Sequence, residues 1–128
     1  MDPSIEDRQK SAIESAESIL KSSFPDLIHS VFGYGAIDID PRHLVVWVML
    51  KGRPEDIPAR AFPPNGPVWH LDPARTAKQR ELIPTIVAMA GIVRECFRDV
   101  GWPDAHNVSV GFDSDERVER FGGWTYFK

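Results

Sequence analysis

The stretch from Asn107 to Lys128 constrains the fold more than any other. Asn107-Val-Ser-Val-Gly-Phe112 alternates apolar and polar residues, which predicts a strand with one buried face. Ser114 is placed to cap a helix with acidic residues in its first turn, and Gly122-Gly123 stops that helix after one or two turns. Trp124-Thr-Tyr-Phe-Lys128 is aromatic and β-prone, so it predicts a last strand that contributes to the core. Strand, short helix and strand in succession predict a compact sheet domain with nothing appended.

The remainder of the chain supplies the helices. With 128 residues there is room for one domain, 1-128. A helix is expected from about Ile5 to Ser22, capped by Asp2 or Ser4, with Ile5, Ala12, Ile13, Ala16, Ile19 and Leu20 on one stripe. Phe24-Pro25 breaks it, and Asp26 to Phe32 reads as a short second helix in preference to an irregular lead-in. From Gly33 to Lys51 the pattern is a hairpin. Ile37 and Ile39 alternate with Asp38 and Asp40, and Asp40-Pro-Arg-His43 makes the turn. Leu44 to Leu50, apolar on both faces, is expected to be a central strand. Residues 52 to 75 carry Pro54, Pro58, Pro63, Pro64, Pro67 and Pro73, leaving few donors for a ladder. A connection of that length inside a small domain is often functional. Ala74 to Val100 is the long helix, with Pro84 predicting a kink or a start nearer residue 81. The fold class is therefore α+β: a four-stranded, mainly antiparallel sheet with two long helices packed on one face.

Bulk properties narrow the function. A net charge of -4 argues against a nucleic-acid binder, which usually carries a basic face. No apolar run approaches the ~20 residues that span a bilayer. The acidic Met1-Asp-Pro-Ser-Ile-Glu-Asp7 is no secretory signal, and the single cysteine excludes an intramolecular disulfide. Together these predict a bacterial cytoplasmic protein.

No catalytic motif is present. The four histidines (His29, His43, His70 and His106) lack metal-ligand spacing, so no metal and no cofactor is expected. Cys96 lies beside the apolar stripe of the long helix and reads as a core filler. Trp69-His70-Leu71-Asp72 with Arg75 is the most reactive-looking cluster, but no serine or cysteine stands near it in sequence. Asp113, Asp115, Glu116 and Glu119 form an acidic group, interrupted by Arg117 and Arg120, which Asp38 and Asp40 on the hairpin could extend. Such a surface suits a basic protein partner, because complementary charge raises association rate and specificity.

Gly33-Tyr-Gly, Ile37-Asp-Ile-Asp-Pro-Arg-His-Leu-Val-Val-Trp47, Val108-Ser-Val-Gly-Phe-Asp-Ser-Asp-Glu-Arg-Val118 and Gly122-Gly-Trp-Thr-Tyr-Phe-Lys128 together resemble small uncharacterised bacterial cytoplasmic proteins. Some of these are similar to immunity proteins encoded beside polymorphic or contact-dependent toxins. The resemblance implies a non-enzymatic domain that masks the active site of a basic toxin or nuclease, and it transfers no catalytic residue. The partner-binding residues expected are Asp38, Asp40, Trp69, His70, Asp72, Asp115, Glu116 and Glu119. The alternative is a small enzyme or ligand-binding domain, with His70, Asp72 and Arg75 anchoring a pocket between the sheet and the Pro-rich loop. A third expectation is a domain that dimerises through strand edges, so the chain is either a monomer or a homodimer.

Overall fold

The computed structural model describes residues 4–37, 39–58, 61–63, 76–120 and 122. The first helix, α1 (Ile5–Ser23), begins where Ser4 Oγ accepts the N–H of Asp7 at 3.1 Å and ends as Phe24 N–H donates to Leu20 O. Ala12, Ala16 and Leu20 form its buried seam.

Three strands make the described sheet: β1 (Ile28–Tyr34), β2 (Val45–Leu50) and β3 (Ser109–Ser114), in that spatial order. β1 runs antiparallel to β2, pairing Phe32 with Trp47 and Val31 with Val48. β3 runs parallel to β2, pairing Val45 with Ser109 and Leu50 with Ser114. The sheet is mixed rather than mainly antiparallel, because the crossover from β2 to β3 passes through a helix. The expected last strand over residues 124–128 lies outside the described residues.

Residues 26–32 were expected as a short helix; the chain instead enters a strand at Ile28. The reason is tertiary, since Ile28 to Tyr34 pairs along the whole of β2 and places Ile28 and Val31 in the core. Nor do the described residues Ile37, Ile39 and Asp40 lie in a strand. Gly35 ends β1 with φ +129°, and a Cβ there would lie 2.1 Å from the carbonyl oxygen of His43. Past that point the alternation serves a connection: Ile37 is buried and Ile39 is 76% exposed. The expected turn is present, as a 3-10 turn over Pro41–His43.

The second helix, α2 (Ala77–Asp99), starts at a Thr76 cap and runs through Pro84. The two long helices share one face of the sheet. Val46, Val48 and Leu50 of β2, with Val110 and Phe112 of β3, meet Leu20 from α1 and Ile86, Met89, Val93 and Phe97 from α2 in one cluster. The intervening residues Trp47 and Met49 point to the other face, where Val118 of α3 (Asp115–Arg120) covers them. This double coverage is why β2 is apolar on both sides. The Phe62 ring stands edge-on to Trp47, 5.2 Å between centroids, and a Cβ on Gly111 would come within 2.8 Å of both rings. Only glycine lets those aromatics settle on the backbone of β3.

Candidate functional site

The junction of β3 with α3 concentrates the polar chemistry of the described core. Asp113 is wholly buried at the end of β3, and its Oδ1 accepts the N–H of Ser114 at 2.8 Å. One turn on, Arg117 returns its guanidinium to the same carboxylate through Nη1. The other terminal nitrogen, Nη2, donates to the carbonyl oxygens of Pro54 and, at 2.6 Å, Ile57. Ser114 Oγ donates to Gly52 O at 2.6 Å and accepts the N–H of Arg117 at 3.2 Å, so the expected cap is in place. A six-residue helix is far too short to stand alone in water. Its stability comes from this buried node and from Val118 against Trp47 and Met49.

The same node fastens the start of the proline-rich segment. Glu55 O receives Gln79 Nε2 at 3.0 Å and Thr76 Oγ1 at 3.4 Å, both from the start of α2. Further along, Arg94 donates to Pro63 O and Val108 O, each at 3.0 Å. Burial lowers the Arg94 pKa from its ordinary value. Residues 52–58 and 61–63 are therefore bound to the frame, and no described part of the segment hangs loose.

Around the node the acidic residues divide. Asp115 Oδ1 accepts the N–H of Gly52 at 3.3 Å, and its Oδ2 stands 4.0 Å from His29 Nε2. The other ring nitrogen of His29 lies 3.0 Å from Ser30 Oγ. Glu116 and Glu119, three residues apart on one face of α3, are exposed. Asp40 sits elsewhere. It caps the 3-10 turn beside Val45, whereas α3 leaves the sheet beside Leu50, at the far end of β2. Arg42 holds its carboxylate through Nε and Nη2, and those hydrogen bonds draw the Asp40 pKa down to about 2. Its charge is answered locally by Arg42. Asp38, Trp69, His70, Asp72 and Arg75 lie outside the described residues.

Comparison with known proteins finds no matching family model, curated protein or solved structure. Chemistry must therefore be read from the residues. Among the described residues no three His, Cys, Asp or Glu side chains converge to hold a metal ion, and no helix is long and apolar enough to cross a membrane. Cys96 is buried on α2, and its thiol is pushed above the ordinary range by burial first and by Asp99 and Glu95 second. Such a thiol stays protonated and is a poor nucleophile.

In sequence Asp113 groups with the surface acids and Arg117 only interrupts them; the structure buries Asp113 and gives it Arg117 as a partner. The spacing of four between Asp113 and Arg117 is no helical signal, because Asp113 lies on β3 and only Arg117 on α3. The carbonyl acceptors at Pro54 and Ile57, some sixty residues away, carry no sign in sequence.

Proposed function

We propose that this chain is a non-enzymatic, cytoplasmic protein-binding domain of the immunity type, which neutralises a basic toxin or nuclease domain by covering its active site with the outer face of α3. One observation carries the reading: α3 is locked from beneath by the Asp113–Arg117–Ser114 node, while Glu116 and Glu119 are left exposed on its outer side. A preformed acidic ledge loses little conformational freedom when a partner arrives, which is what a rapid, tight inhibitor requires. Asp115 serves as an anchor of the ledge, through Gly52, rather than as its contact face. Asp38, Trp69, His70 and Asp72 remain proposed contributors to the surface, and Asp40 is a secondary one because Arg42 answers its charge.

The experiment is capture of partners by the tagged full-length chain from its own cell lysate at low and high salt. The reading expects one stoichiometric basic protein, held at low salt and released at high salt, whose toxic or nuclease activity falls when the two are recombined. A captured protein whose activity is untouched, or no partner at either salt, contradicts it.

A further inference from the structure

The proline-rich segment opens with a closed turn over 53–56. Asp56 N–H donates to Arg53 O at 3.0 Å, and Pro54 holds the first central position, where its ring fixes φ. One stiff unit therefore carries the carbonyls of both central residues, and the two serve different elements. Pro54 O accepts from Arg117 Nη2 of α3. Glu55 O accepts from Gln79 Nε2 at 3.0 Å and Thr76 Oγ1 at 3.4 Å, at the start of α2. The flanking residues complete the attachment to α3. Gly52 N–H donates to Asp115 Oδ1, Gly52 O accepts from Ser114 Oγ, and Ile57 O accepts from Arg117 Nη2.

A turn closed by its own hydrogen bond cannot move one central carbonyl and leave the other in place. When Arg117 releases Pro54 and Ile57, the turn is free to swing from α3, and Glu55 O swings with it away from Gln79. Water does not readily take over at either end, because the Arg117 side chain is 12% exposed and Gln79 7%. The exposed pair of Asp56 with Lys78, at 3.7 Å, adds little to this linkage.

We propose that the turn over 53–56 is a conformational coupler: through it, α3 and the first turn of α2 open and close as one unit while α1 and the rest of α2 stay folded. Local openings of such units are a general property of folded chains. A bond lost at one end lowers the free energy of opening at the other, and the effect is reciprocal because the coupling energy is shared. One consequence rests on the proposed function: a partner that holds the outer face of α3 also orders the start of α2.

Amide hydrogen exchange of the full chain, with no partner present, tests the coupler, so its failure and failure of the acidic ledge are separate results. At the start of α2 the reporters are the N–H groups of Gln79 and Arg80, bonded to Thr76 Oγ1 and Thr76 O at 3.1 Å each. Val118 reports on α3, and the buried Leu20 and Phe97 report on the frame. Arg117→Lys, which loses the planar fork, should speed exchange at Val118 and, by at least about fivefold, at Gln79 and Arg80, with Leu20 and Phe97 unchanged. Gln79→Ala should act in reverse and speed exchange at Arg117 and Val118. Faster exchange confined to the mutated end overturns the proposal, because the two ends then open independently. An equal rise at every amide overturns it too, since only global unfolding has changed, and so does no change anywhere. Should Arg117→Lys fail to fold, Gln79→Ala decides by the same reporters.

Discussion

A guanidinium shared among three parts of the chain tolerates little substitution. Arg117 joins the carboxylate of Asp113 to the carbonyls of Pro54 and Ile57, with its side chain only 12% exposed. Lysine offers a point charge in place of the planar fork. Arg117→Lys should therefore leave a buried carbonyl unpaired and lose about 1–3 kcal/mol. Arg117→Met removes the positive charge from the wholly buried Asp113 carboxylate and both donors from the Pro54 and Ile57 carbonyls, and should lose about 3–5 kcal/mol. Urea unfolding measures both, and a loss near zero for the Met variant would refute the role given to this node. Cys96 carries an independent prediction. With its thiol raised by burial and by two neighbouring carboxylates, it should react with a disulfide reagent slowly in the native protein and rapidly once unfolded, at any pH below the ordinary thiol range. Rapid native labelling at neutral pH would contradict its place in the core.

At the scale of elements, α2 holds an apparent contradiction in Pro84. The residue is exposed in the eighth position of the helix, where it has no N–H for the Arg80 carbonyl. Its cost of about 3 kcal/mol exceeds the roughly 1 kcal/mol by which proline restricts the unfolded chain. Pro84→Ala should then stabilise the protein by about 2 kcal/mol in thermal or urea unfolding; a destabilised variant would mean that the ring itself is needed. The helices were legible because their signals are local: the Ser4 cap, the Ala12–Ala16–Leu20 seam and the break at Phe24-Pro25 all act within a few residues. β2 was legible for a related reason, as apolar residues on both faces demand two covers. β1 was not, because Leu27 to Phe32 fits either period and its state is decided by β2. The alternation at Ile37 and Ile39 imitated a strand that Gly35 had already ended. In the candidate site, Glu116 and Glu119 were legible as exposed acids on a short helix. Asp113 was not distinguishable from them, since what buries it comes from the far side of the fold.

Taken as a whole, the molecule carries its net charge of -4 on a frame whose polar interior is used for construction. Among the described residues no buried side-chain nitrogen or oxygen lacks a partner. Buried polar groups tie the β3–α3 junction, the proline-rich segment and the start of α2 to one another, and on α3 itself Glu116 and Glu119 face water. That division underlies the proposed function: Asp113 and Asp115 hold the ledge, and Glu116 and Glu119 are the residues proposed to meet the partner. It is tested most directly by the association rate of wild type and of Glu116→Lys/Glu119→Lys protein with the captured partner, followed by stopped flow across a range of salt. Wild type should associate at least about tenfold faster than the variant at low salt, with the two converging as salt screens the charge, and both should unfold at the same urea concentration. Equal rates and equal salt dependence would show that the outer face of α3 is not what the partner meets.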